Sequence, residues 1–173
     1  MSGPRPEAWL RSPWPGVVAT LQPAAHALAQ VQEELLPLLA SLREEDFWAR
    51  VGESAPIGFH AVHLAGSLDR LYTYARGESL SAAQLEALAR ERNLDVARPR
   101  PAEVRSLVEG ALAAALLQLA STSESSLGEA REVGRARVPS TVLGLLSHGA
   151  EHTVRHAGQI ATLARAQRGA GSR

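Results

Sequence analysis

The chain contains no cysteine, which removes disulfides, thiolate metal sites and a cysteine nucleophile together. Any metal it holds must rest on nitrogen and oxygen. Net charge is missing too, because 18 Lys+Arg stand against 18 Asp+Glu. That balance argues against a nucleic-acid partner, which calls for a basic face or stripe, and against steering to an acidic membrane. The opening MSGPRPEAWLRSPWPG lacks the apolar run of a secretory signal. No stretch approaches the roughly 20 apolar residues of a bilayer span; ALAAALLQLA at 111–120 reads as a packed helix. Alternating β-branched runs are nearly absent and no internal repeat is evident. The expectation is a cytoplasmic, helical protein of one domain, with 173 residues to bury a substantial core.

What the chain does have is helical periodicity broken by Pro, Gly and Ser. Residues 1–16, with four prolines and Trp9 and Trp14, read as an irregular arm. The first helix is expected over 17–42, with Leu28, Val31, Leu35, Leu36 and Leu39 as its apolar stripe. A charged turn, Glu44–Asp46, leads through Phe47 and Trp48 to GESAP. Ser54 as N-cap and Pro56 in the first turn predict a second helix over 55–76, closed by Gly77. A short helix over 81–92 follows, and the prolines of VARPRP at 96–101 interrupt it. The third long helix is placed at 102–121 and the fourth at 140–168, with residues 169–173 as a flexible tail. The glycine-punctuated, charged stretch 128–138 reads as a loop. Four long helices with short connections define an all-α four-helix bundle with a small extra helix between the second and third.

Five of the six histidines fall in two of these helices. His148, His152 and His156 recur at four-residue steps in LLSHGAEHTVRHAGQIATLAR, and IGFHAVHLAGSLDRL carries His60 and His63. Four residues is slightly more than one turn, so the first three imidazoles stack along one side of a helix. With His148 at 0° and about 100° per residue, His152 falls near 40° and His156 near 80°. The apolar stripe of Val142, Leu145, Leu146, Ile160 and Leu163 spans about 60–160° on that wheel. His156 should therefore point inward, His152 lie at the border and His148 drift outward, with Glu151 and Arg155 facing away. On the second helix His60 lies closer to the apolar stripe than His63, and Ser67 and Tyr74 share its border. Facing imidazoles on two bundle helices are how metal sites are built in such folds. The bland alternative is a set of surface or hydrogen-bonded core histidines, and for the isolated His26 that is the reading.

The stretches HLAGSLDRL (63–71) and EHTVRHAGQIATLAR (151–165) resemble the two signature segments of the DinB-like superfamily. Those 24 residues carry the specific part of the likeness; the rest is helix layout. The resemblance implies an up-down-down-up four-helix bundle, a homodimer, and a divalent metal on His63, His152 and His156. His60 is the substitute for His63, His148 a neighbouring pocket residue, and Gln159 the motif glutamine, which could hydrogen-bond an imidazole or pack at a helix seam. Gly158, Gly66 and Gly144 cost about 1 kcal/mol each relative to alanine in a helix interior, which close approach of another backbone would explain.

Three neutral imidazoles leave open positions on a cation, as catalytic rather than structural sites do. Zinc suits imidazole and needs no redox partner; nickel, iron and manganese stay open. Such an ion would activate water or a thiolate. The resemblance implies hydrolysis for some members and thiol S-transfer for others. With no cysteine in the chain, the latter needs a low-molecular-weight thiol cosubstrate such as bacillithiol, mycothiol or glutathione beside a small-molecule substrate. Glu151 is the nearest carboxylate in sequence yet projects elsewhere, and Asp69 faces outward. Arg70 and Arg76 read as solvated helix-surface cations. Trp9, Trp14 and Trp48 are candidates for a pocket mouth or dimer seam, with Trp48 first a core residue. The rival is a non-catalytic, stress-related metal-binding or interaction protein. A DNA-polymerase role lacks both a basic groove and a carboxylate metal cluster.

Overall fold

A computed structural model of the protein describes residues 5–94 and 98–170. Residues 1–4 of the expected arm, part of the VARPRP break and residues 171–173 of the expected tail lie outside them. The described residues form helices α1 (Gln22–Ser41), α2 (Glu44–Trp48), α3 (Ile57–Ala75), α4 (Ala82–Glu91), α5 (Pro101–Ser121) and α6 (Val142–Ala170). A two-stranded antiparallel hairpin, β1 (Ala130–Val133) and β2 (Val138–Thr141), precedes α6.

The four long helices pack as a square. α1 and α3 sit on one diagonal, and each touches α5 and α6. Directions follow from the contacts. His60 faces His156 while Tyr72 reaches the Leu146 carbonyl, so α3 and α6 run antiparallel. Gln118, late in α5, donates to the carbonyl of Tyr72, late in α3, so those two run parallel. Thr20 before α1 donates to Glu124 after α5, and Gln167 near the end of α6 donates to the Asp46 carbonyl just past α1. The order is up-down-down-up, as expected. Two parallel neighbours in sequence require the chain to climb back between them. α4 does that climbing, antiparallel to α3, with Gln84 bonded to Asp69 and Thr73 and Glu91 reaching His63 and Arg70.

The core lies where the four apolar stripes meet. Leu28, Val31 and Leu35 come from α1, Leu64 and Leu68 from α3, Leu112 and Leu119 from α5, and Leu146 and Ile160 from α6. Each such side chain, withdrawn from water, contributes about 1.5–3 kcal/mol. Among the described residues α5 is the one helix long and apolar enough to cross a membrane, a correction to the expectation that no stretch qualifies. Its stripe of Val104, Val108, Leu112 and Leu119 is buried in the bundle.

Several expectations shift at element ends. The first helix begins at Gln22, behind a 3-10 turn, because Pro23 occupies its first turn and the Gln22 side chain binds the Trp14 and Val17 backbone. α3 starts after Pro56 with no side-chain cap, so Ser54 does not cap it. α6 starts at Val142, where Thr141 Oγ1 accepts the Gly144 N–H. Residues 128–138 are not plain loop: the hairpin turns there on Gly134 and Arg137, both at positive φ. Its strands are only four residues long and have no buried face, so they carry no apolar alternation to read. Gly77 (φ +78°) ends α3, as the sequence indicates, and a Ser81–Gln84 capping box opens α4.

Candidate metal centre

Antiparallel α3 and α6 bring their histidines face to face. Below the cluster, Gly149 lets the helices close: a Cβ there would lie 2.7 Å from the Tyr72 ring. Above it, His63 Nε2 lies 3.0 Å from His152 Nε2, and His60 Nδ1 lies 3.0 Å from His156 Nδ1. The imidazoles of His63, His152 and His156 offer one nitrogen each, all within 4.8 Å of one another. Burial follows the helical wheel. His60 and His156 are buried and His152 half-buried, while His148 and Glu151 are exposed.

The donor set fits a divalent cation. A tetrahedral ion with Zn–N near 2.0–2.1 Å places its nitrogens about 3.3 Å apart, close to the observed His63–His152 spacing. The nitrogens facing away already have partners. His63 Nδ1 meets Glu91 Oε1 at 2.5 Å, and His156 Nδ1 meets His60. That leaves Nε2 of His63 and of His156 for an ion, and makes His60 a neighbour of one of the three rather than a member of the trio. Phe59 stacks flat on His63 (ring planes 3° apart) and meets His60 edge-on, bracing both.

The electrostatics favour neutral imidazoles. Burial, reinforced by the nearby His63, His152 and His60 rings and by Arg155, lowers the His156 pKa to about 4. Burial and His63 likewise lower His60. His152 is lowered by burial first, then by His63 and Arg155, with Glu151 partly opposing. Neutral rings are the form that binds a metal.

Glu91 and Arg70 were not legible as part of the site. Burial pushes the Glu91 carboxyl up, but the His63 hydrogen bond and the Arg70 guanidinium outweigh it and hold the carboxyl below its ordinary range. Arg70 is not a solvated surface cation: its side chain is 12% exposed and Nη1 lies 3.0 Å from Glu91 Oε2. The signal available in sequence was α4 itself, a short helix beside α3 that ends in a carboxylate.

Other expected residues fall elsewhere. Ser67 is buried and donates to the Leu64 carbonyl, and Tyr74 lies against the hairpin end of the molecule. Asp69 is exposed and accepts from Gln84. Gln159 is exposed, bonded to no imidazole, and lines a cleft of about 470 Å³ with Ser54, His60, Arg155 and Thr162. A methyl placed on Gly158 would meet no heavy atom within 4 Å, so close backbone approach does not explain that glycine. The close approaches are by side chains and not by another backbone: Arg70 and Glu91 at Gly66, the Trp48 ring at Gly58, Tyr72 at Gly149, and Ser140 and Thr141 of the same turn at Gly144. His148 stands at the outer edge, its ring 5.7 Å from His152 and its Nδ1 3.4 Å from Glu151. Trp9 is exposed beside a separate apolar groove of about 440 Å³ between α1 and α6, lined also by His26. That groove contains none of the clustered histidines, which lie at the α3–α6 seam.

An antiparallel α3–α6 pair carrying three convergent imidazoles inside an up-down-down-up bundle defines a helical-bundle protein whose histidine cluster can hold a divalent metal. The sequence profile of the DinB superfamily matches residues 27–160, and the chain belongs to that superfamily. The match takes in all five clustered histidines and stops one residue past Gln159. Among curated proteins no match is found.

Proposed function

We propose that the protein is a divalent-metal-dependent enzyme that acts on a small molecule, with His63, His152 and His156 as ligands and zinc as the metal. The observation that carries this reading is the convergence of one nitrogen from each of those three rings within 4.8 Å, across two helices. A bound divalent cation with vacant positions supplies Lewis acidity, lowering the pKa of water or of a thiol. The chain's own part is to keep His152 and His156 neutral and to aim all three rings while partly shielding them from water.

Of the two reactions open to such a site, thiol S-transfer is favoured over hydrolysis by the carboxylates. Glu91 is occupied on both oxygens, by His63 and by Arg70. Both Glu151 oxygens accept from Arg155 on the exposed side of α6. Among the described residues, no other carboxylate contacts the clustered rings, so a general base for water is missing. A low-molecular-weight thiol, far more acidic than water before either meets a metal, needs none: it loses its proton to solvent, its sulfur attacks the electrophile, and the leaving group departs with the bonding electrons. The cleft beside His60, with Arg155 and Gln159 on its wall, is the entry for those substrates.

Purified protein should carry about one divalent metal per chain, and His156→Ala should strip it. Metal-loaded protein is then assayed against thiol cosubstrates with electrophiles and against ester and amide panels. Absence of metal, together with turnover indifferent to His156→Ala, would sink the reading. A second reading, a non-catalytic metal-binding or interaction protein, draws on the same lack of a free base and on the exposed Trp9 and Val154 beside the α1–α6 groove. Metal-dependent turnover excludes it. A homodimer and a cytoplasmic location are carried over from the family resemblance and the sequence; sedimentation of the purified chain tests the former.

A further inference from the structure

The helix α4 buries a single one of its residues, and that residue is a carboxylate, Glu91. A ten-residue helix docked for packing alone would bury its leucines; here Leu85 is left 46% exposed and Leu88 only half-buried. Burying an ionised group is unfavourable unless each lone pair finds a partner, and Glu91 has them: Oε1 on His63 Nδ1 and Oε2 on Arg70. Gly66 adds an independent sign. A Cβ at that position would come within 2.7 Å of the Arg70 guanidinium and 3.0 Å of Glu91 Oε2. Glycine thus clears the floor on which the pair lies. The alternative, a buried ion pair that merely fastens α4, accounts for Arg70 but not for the second oxygen spent on His63.

We propose that Glu91 is a positioning residue of the metal centre, holding the His63 N–H on Nδ1 and so turning Nε2 to the ion, which makes α4 part of the site. The inference rests on the metal reading given above and adds to it. An ion would then couple α4 to the α3–α6 seam, and loss of the carboxylate would be felt at the metal. Outer partners of this kind typically change metal affinity by about ten- to a hundredfold.

The test is cobalt(II) binding, by competition with a chelator and by the visible spectrum, in the full chain and in Glu91→Gln, Glu91→Asp and His63→Ala. Glu91→Gln should weaken cobalt binding by about ten- to a hundredfold and alter the d–d bands. Its metal-free helical signal should stay that of the parent, and Glu91→Asp should recover part of the loss. Should Glu91→Gln not fold, Gly66→Ala, which crowds the same pair while favouring helix, is judged by the same criterion. If cobalt affinity and spectrum stay unchanged in the Glu91 or Gly66 variant while His63→Ala loses the metal, Glu91 only fastens α4 and the proposal is overturned. If His63→Ala also binds cobalt like the parent, the metal reading itself has failed, and this inference falls with it.

Discussion

Leu68, Tyr72, Leu145 and Leu146 close one half of the α3–α6 seam with hydrocarbon, whereas His60, His63, His152 and His156 line the other half with imidazole. The same two helices supply both halves, at the same antiparallel register. In the first half Gly149 removes a side chain so that Tyr72 can pack against α6 and donate to the Leu146 carbonyl. In the second, rings take their place, and burial together with the neighbouring rings lowers the basicity of His156, His152 and His60. One half sets the distance between the helices. The other uses that distance to aim nitrogens, and stability and binding should therefore separate on mutation.

The largest separation should come from Leu146→Ala, which empties a fully buried site in the hydrocarbon half. It should cost about 2–5 kcal/mol in chemical denaturation and leave metal affinity of the folded fraction little changed. His152→Ala should do the reverse, losing metal while the metal-free protein keeps its denaturation midpoint. If both variants lose stability and metal in proportion, the two halves are one cooperative unit and the comparison fails.

Gly149→Ala comes next. Its new methyl would meet the Tyr72 ring at 2.7 Å and must push the helices apart. Overpacking of that kind costs about 1–3 kcal/mol, and the displaced seam should also weaken metal binding, measurable by chelator competition.

Acid should act on the imidazole half. Because the fold lowers the His156 pKa to about 4, the unfolded chain takes up that proton first as pH falls below about 6.5. The stability that depends on the neutral ring is full above about 6.5 and drains away as pH approaches the folded value. His60 and His152, lowered likewise, add in the same direction, and Glu91 adds below the ordinary carboxylate range. Urea denaturation of the metal-free protein should lose roughly 1–2 kcal/mol between pH 7 and 4.5, after allowance for solvent screening. His156→Asn should flatten that slope; a slope unchanged by the substitution contradicts the assignment.

The smallest effect is expected at Glu151→Gln. That carboxylate is exposed and paired with Arg155, and surface pairs contribute little. Melting temperature, metal affinity and any turnover should match the parent. A fall in turnover of about a hundredfold, the size expected for loss of a general base, would instead mark Glu151 as that base and move the reading toward hydrolysis.

Sequence periodicity reached most of the bundle and the placement of the imidazoles, because both depend on 3.6-residue geometry within single helices. The inward turn of His156 and the outward drift of His148 follow from the wheel alone. The greater burial of His60 over His63 was visible there too, and in the fold it places His60 behind His156 instead of in the trio. What periodicity could not reach was contact between elements far apart in sequence. Glu91 lies 28 residues from His63, and their meeting depends on the path by which α4 climbs back along α3. Arg70, read from its own helix as solvated, is half-buried against Glu91 for the same reason. The hairpin escaped because neither strand has a buried face, so no alternation marks it.

The most direct measurement is X-ray absorption on the purified, zinc-loaded chain, taken together with its metal stoichiometry. The account predicts about one zinc per chain, with three imidazole nitrogens near 2.0–2.1 Å and lighter donors filling the remaining positions. A chain that takes up no zinc, or a shell with fewer than three imidazoles, would contradict it.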